Sequence, residues 1–132
     1  MAITVVRLEG KRLLCRAGRH EIVTDRKPDE GGTDSGCTSG ELLLLAIGSC
    51  ATGSLRNFLD QAGLPSAPLE VEVAFVASPR PGERDAIRIL ARLADGIPDG
   101  RIADVKAAAL SGGVASRVRL GSAIEVEVAR GR

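Results

Sequence analysis

The chain has no tryptophan and no tyrosine, and its 132 residues include only two phenylalanines, Phe58 and Phe75. Without aromatic platforms it has no surface on which to stack unpaired bases. It also lacks a surplus of either charge. Eighteen Lys and Arg stand against 17 Asp and Glu, a formal net charge of +1, whereas polyanion binding draws on a basic excess. No nucleic-acid partner is expected. One histidine, His20, and no Cys-x-x-Cys pair leave no zinc set, and the same poverty disfavours haem or an iron–sulfur cluster. There is no phosphate loop ending in Lys-Ser/Thr and no Gly-x-Gly-x-x-Gly after a strand. No metal or organic cofactor is expected either.

Two further absences bear on location. The first ten residues alternate apolar and polar and hold no signal core. The longest uncharged apolar-rich stretch, Leu42–Leu55, has 14 residues, short of the ~20 that span a bilayer. Three cysteines, Cys15, Cys37 and Cys50, are an odd count that fits a reduced protein better than a disulfide scaffold. The expectation is a cytoplasmic protein without a membrane partner. What the chain does hold is 44% hydrophobic and 27% charged residues, enough for one globular domain over residues 1–132. Its chemical resource is the cysteines.

Periodicity predicts the order of elements. Ile3–Leu8 reads as a strand, and Arg12–Ala17 with His20–Thr24 as a hairpin across Gly18-Arg19. Asp25–Gly40 is a polar loop without a hydrophobic period, long enough to carry function. Glu41–Ala62 is the clearest helix, capped by Thr38 or Ser39 and stopped by Gly63 and Pro65. Its first half, Leu42–Ala51, is uncharged on every face, which calls for burial and for a second subunit to cover part of it. Gly48 and Gly53 are expected to admit another helix across that interface. Two alternating strands follow, with Leu69, Val71, Val73 and Phe75 on one face and Ile87, Ile89, Ala91 and Leu93 on another. Pro98–Ser111 predicts a second helix ended by Gly112-Gly113. Ser116–Leu120 reads as extended, and Ala123–Ala129, with Ile124, Val126 and Val128 alternating with Glu125 and Glu127, as a last strand.

The run Glu30-Gly31-Gly32-Thr33-Asp34-Ser35-Gly36-Cys37-Thr38-Ser39-Gly40-Glu41-Leu42-Leu43, continuing through the apolar helix to Cys50, resembles the family of osmotically inducible protein C (OsmC) and organic hydroperoxide resistance protein. The resemblance lies in a Gly-rich loop, a Glu-Leu-Leu helix start and a cysteine inside the central helix; the later order of elements agrees. It implies an α+β fold of antiparallel sheets with a buried central helix, built as an intertwined homodimer. It also implies reduction of small apolar organic hydroperoxides by a peroxidatic cysteine, at the position of Cys50, with an arginine holding the thiolate. Arg26, in the loop ahead of the helix, is the nearest match for that arginine, with Arg16 and Arg19 behind it.

The departures are specific. The family's peroxidases carry a resolving cysteine after the second helix, where this chain has Gly112-Gly113. They also carry a glutamate ten residues before the helix cysteine, where this chain has Gly40. Glu41 lies nine residues before Cys50, and at about 100° per residue nine positions put two side chains on opposite faces of a helix. Glu41 thus reads as a favourable charge at the helix start. An oxidised Cys50 has two routes back, through Cys37 or through an external thiol reductant, and the external thiol is preferred. The other reading is a dimer without catalysis that binds a small apolar ligand or a protein partner. His20 and Cys15 receive no role.

Overall fold

The structure, a computed structural model, describes residues 2–131, which divide between Leu45 and Ala46 into two compact units. In the first unit, strands β1 (Ile3–Arg7), β2 (Leu13–Ala17) and β3 (His20–Thr24) form an antiparallel sheet in that order. Ala17 pairs with His20 across a two-residue turn, and Gly18 at φ 60° supplies the positive φ such a turn needs. The loop that follows is not structureless. Thr24 bridges Cys37 in parallel, and a short 3₁₀ turn runs over Pro28–Glu30.

Helix α1 (Ser39–Gln61) opens with a reciprocal cap. The Glu41 amide donates to Thr38 Oγ1 at 3.1 Å, and the Thr38 amide donates back to Glu41 Oε1 at 2.9 Å. Two orphan amides are satisfied by one Thr-x-x-Glu sequence. The same bonds, the Thr38 amide foremost, hold the Glu41 carboxyl below its ordinary range. Gly63, at φ 67°, follows the helix end. At 23 residues α1 is long and apolar enough to cross a membrane, yet Arg56 and Asp60 stand on its exposed side and its inner stripe is Ile47, Ala51, Leu55 and Leu59. Of the stretch Leu42–Ala51, the single chain buries Ile47 and Ala51, while Leu43 and Leu45 remain 40% and 60% exposed.

In the second unit, β4 (Glu70–Val76) pairs antiparallel with β5 (Ala86–Arg92). The register Val71–Ala91, Val73–Ile89 and Phe75–Ile87 puts the two alternating apolar sets on one face, as their period requires. On the other face Arg92 reaches Glu72 at 3.4 Å. Helix α2 (Ile102–Ala109) supplies Val105 and Ala109 to a core with Leu55 and Leu59, against which Leu69, Val71, Ala91 and Leu93 pack.

Two expectations need correction. Ser116–Leu120 is not extended but belongs to helix α3 (Gly113–Leu120). Gly112, itself extended, starts a turn whose Ala115 is buried, and that contact outweighs the local alternation of Arg and apolar residues. Ala123–Ala129 forms no strand within the chain: Ile124, Val126 and Val128 are 89%, 84% and 85% exposed. A strand needs a ladder partner, and among the described residues none pairs with it. Within the chain, Gly48 faces a strand. A Cβ there would sit 3.1 Å from Val73 Cγ2 of β4, and a Cβ on Gly53 would meet only Arg56 at 3.9 Å.

Candidate functional site

Cys50 lies half-buried in the middle of α1 and is a free thiol. Its sulfur faces Gly112, the residue that caps α3. A side chain on Gly112 would collide with Cys50 Sγ and would lie 2.9 Å from Ser54 Oγ, one turn further along α1. Gly112 sits at φ −70° and ψ 156°, a conformation open to any residue. Backbone geometry therefore does not demand glycine there; the sulfur does. Where the resemblance places a second thiol, this chain makes room for the first.

An apolar cleft adjoins this seam. Ile47, one turn before Cys50 on α1, lines it with Ile87, Ile89, Leu110 and Val118, and its volume is about 510 Å³. Arg84, Asp85 and Arg119 supply its charged groups. An apolar pocket with a few polar groups at its rim suits a small hydrophobic ligand.

The other residues singled out from the sequence belong to the first unit, where Arg26 and Cys37 share one organiser, Asp25. This carboxylate is only 3% exposed. Its Oδ2 accepts bonds from Thr33 Oγ1 at 2.7 Å, Ser35 Oγ at 2.8 Å, and the amides of Thr33 and Ser35 at 3.0 and 3.1 Å. Its Oδ1 accepts the Arg26 amide at 2.8 Å. These donors, the Thr33 hydroxyl first, hold the Asp25 carboxyl well below the usual carboxylate range. Arg26 thus has a fixed backbone, but its guanidinium is exposed and pairs with Glu30 at 3.2 Å. Cys37 is half-buried, and its carbonyl accepts the Asp25 amide at 3.2 Å. Cys37 sits in a parallel bridge with Thr24, at the end of β3. Of the backup arginines, Arg16 pairs with Glu21 at 3.1 Å and Arg19 lies exposed in the hairpin turn. Glu41 is engaged in its cap and lies 3.5 Å from Lys27 Nζ. Among the described residues no group of three His, Cys, Asp or Glu is gathered for a metal.

Sequence reasoning missed Asp25, Ser54 and the contact between Cys50 and Gly112. Asp25 sits eight and ten residues before its partners Thr33 and Ser35, a spacing that matches no repeating period. The glycine pair was visible, but only as an absence of cysteine.

The fold and this thiol define a class: an α+β protein with antiparallel sheets and a cysteine inside its long helix, set beside an apolar cleft. A family model described as OsmC-like protein matches residues 32–129, and the chain belongs to that family. Solved structures share the fold. One, from Psychrobacter arcticus and assigned as an osmotic stress induced and detoxification response protein, is 21% identical with a TM-score of 0.72, covering 88% of this chain and 86% of its own. An organic hydroperoxide resistance protein OsmC from Legionella pneumophila is 13% identical at a TM-score of 0.62, covering 90% of each chain. A protein from Vibrio cholerae, assigned to organic hydroperoxide resistance and solved with captopril in one of its active sites, is 14% identical at a TM-score of 0.61, covering 90% of this chain and 85% of its own. No curated protein matches the chain.

Proposed function

We propose that this OsmC-like protein reduces small apolar organic hydroperoxides through Cys50. The observation that carries the reading is the half-buried Cys50 sulfur lodged at the start of α3, one turn from Ile47 of the apolar cleft. The names of the Legionella and Vibrio structures point to the same chemistry in relatives of this fold. In the reaction the Cys50 thiolate attacks the distal peroxide oxygen. An S–O bond forms, the O–O bond breaks, sulfur is oxidised by two electrons, and the departing alkoxide takes a proton to leave as the alcohol. The cleft favours an alkyl substituent over hydrogen peroxide.

The sulfenic acid is then resolved by an external thiol of the reducing cytoplasm. That thiol displaces water to form a mixed disulfide, and a second thiol releases Cys50. Gly112 offers no sulfur, and Cys37 is tied by its backbone to Thr24 and Asp25, which favours the external route over an internal disulfide. The working form is a homodimer, supported by the exposed apolar residues of α1 and of the C-terminal segment. Stopped-flow mixing with cumene hydroperoxide tests the assignment. Wild type should consume the peroxide and yield a trappable sulfenic acid on Cys50, and Cys50→Ser should lose at least about 100-fold in rate, the order expected when a nucleophile is removed. Consumption at the wild-type rate by Cys50→Ser would leave the second reading, a binding dimer that holds a small apolar ligand or a protein partner without catalysis at Cys50.

A further inference from the structure

One face of α1 changes character at Cys50. Ile47, one turn before it, lines the apolar cleft, whereas Ser54, Asn57 and Gln61, one to three turns after it, line a groove between α1 and α2. Steps of three and four residues keep side chains on one side of a helix, so these four and Cys50 share a stripe. The segment that crosses the stripe changes in the same way. Leu110 lines the cleft and Ser111 the groove, and Gly112, next in sequence, lies against the Cys50 sulfur. The place of a side chain on Gly112 is taken by that sulfur and, at 2.9 Å, by Ser54 Oγ. The sulfur and the first hydroxyl of the groove thus share one neighbour.

The groove has a volume of about 530 Å³, within the range of small-molecule sites. Its polar groups are hydroxyls and carboxamides, with Asp104 as its one carboxylate. That carboxylate is engaged by Arg101 at 3.2 Å, so no unpaired charge lines the groove. The Ser111 hydroxyl is returned to the Ala108 carbonyl at 2.7 Å. Asn57 uses only its Oδ1, which accepts from Arg56 at 3.3 Å, and keeps its amide hydrogens free. Among the described residues the Ser54 hydroxyl and the Gln61 carboxamide have no hydrogen-bond partner within the chain. A ligand in this groove is held by neutral hydrogen bonds, in contrast to the Ile and Val walls of the cleft.

We propose that the groove between α1 and α2 binds the external thiol that resolves Cys50, and that this thiol is a small, hydrophilic, peptide-like molecule. Its amides match the donors and acceptors of Ser54, Asn57 and Gln61, while the alkyl hydroperoxide has the cleft at the other end of the stripe. From the Ser54 end its sulfur attacks the Cys50 sulfenic acid. An S–S bond forms, the S–O bond breaks, and the hydroxyl leaves as water with the proton of the thiol; the incoming sulfur is oxidised as Cys50 is reduced. A second molecule of the same thiol then displaces Cys50 from the mixed disulfide. The proposal rests on the reading of Cys50 as the sulfur that peroxide oxidises, and the capture of the thiol can be tested apart from peroxide.

The test uses the full chain with Cys50 loaded in two ways, as the sulfenic acid from one equivalent of cumene hydroperoxide and as the methyl disulfide from methyl methanethiosulfonate. Each form is reduced by glutathione, the hydrophilic probe, and by butanethiol, the apolar one, and peptide mass spectrometry reads Cys50 apart from Cys15 and Cys37. In wild type the rate should saturate with glutathione and rise linearly with butanethiol. Asn57→Leu and Gln61→Leu, at two exposed positions, should each lower the ratio of the glutathione rate to the butanethiol rate about threefold or more, as loss of a hydrogen bond to a bound ligand does. Arg80→Gln, in the β4–β5 turn, should leave the ratio in place. A glutathione rate that stays linear overturns the proposal, as does a ratio unmoved by both groove variants or moved equally by Arg80→Gln. The two loadings separate this proposal from the catalytic reading. Groove-dependent reduction of the methyl disulfide in a protein that cumene hydroperoxide does not oxidise leaves the groove and removes the peroxidase. Oxidation of Cys50 followed by reduction that ignores the groove does the reverse.

Discussion

At the scale of single residues, the chain places its constraints where side chains meet backbone. Gly112 adopts a conformation any residue could share, so its requirement for glycine comes from the Cys50 sulfur and the Ser54 hydroxyl. Gly112→Ala should therefore cost about 1–3 kcal/mol through overpacking, read by urea unfolding. Most of that loss should vanish in the Cys50→Ala background, because the two changes share one contact; additive losses would refute the packing argument. Asp25 makes a pH prediction. Its folded pKa is depressed by four donors on one oxygen and a fifth on the other. The stabilisation is complete above the unfolded pKa of 3.8 and is lost as pH falls through the lower folded value. Thermal melts of wild type should drop below about pH 4 more steeply than those of Asp25→Asn, whose melting temperature should already be lower at neutral pH. Parallel slopes would show that Asp25 carries no such linkage. The sequence made Cys50 legible because it ends a recognisable run, and the missing resolving thiol because Gly112-Gly113 stands where the resemblance expects a cysteine. Asp25 was not legible, because a hub that collects donors from eight and ten residues away leaves no period to read.

At the scale of elements, legibility followed whether an element is closed by its own neighbours. The β2–β3 hairpin and the β4–β5 pair appeared with the expected turns and faces, since alternation and a glycine turn are local signals. Helix α1 was equally clear, and its cap explains why Glu41 stands where it does. Thr38→Ala should remove one half of the cap and cost about 1 kcal/mol, measured by urea unfolding; a stability equal to wild type would show that the cap contributes nothing. Helix α3 was misread as extended because Arg117-Val118-Arg119-Leu120 alternates over too few residues to separate a period of two from one of 3.6. What decides it is the burial of Ala115, a tertiary contact.

At the scale of the whole molecule, the last segment is the one whose pattern and surroundings disagree. Ile124, Val126 and Val128 alternate with Glu125 and Glu127 like one face of a sheet, yet all three apolar side chains stand in solvent in the single chain. β-branched residues in strict alternation describe a strand with one buried face, and a lone strand leaves its backbone groups without a ladder. Exposed Leu43 and Leu45 on α1, and Ile3 and Val5 on β1, add apolar surface beyond the scattered residues that a monomer normally shows. The proposed homodimer would answer the unpaired ladder and the exposed faces together. Light scattering should then report about twice 13.7 kDa at micromolar concentration. Val126→Asp, which sets a charge in the face that the partner must cover, should shift the population toward monomer without unfolding the β4–β5 core. Glu127→Lys should leave the dimer intact, because alternation sets position 127 on the face opposite Ile124, Val126 and Val128. A compact monomer in the wild type, or a Val126→Asp protein as dimeric as wild type, would show that the alternation in 123–129 serves some purpose other than joining two chains.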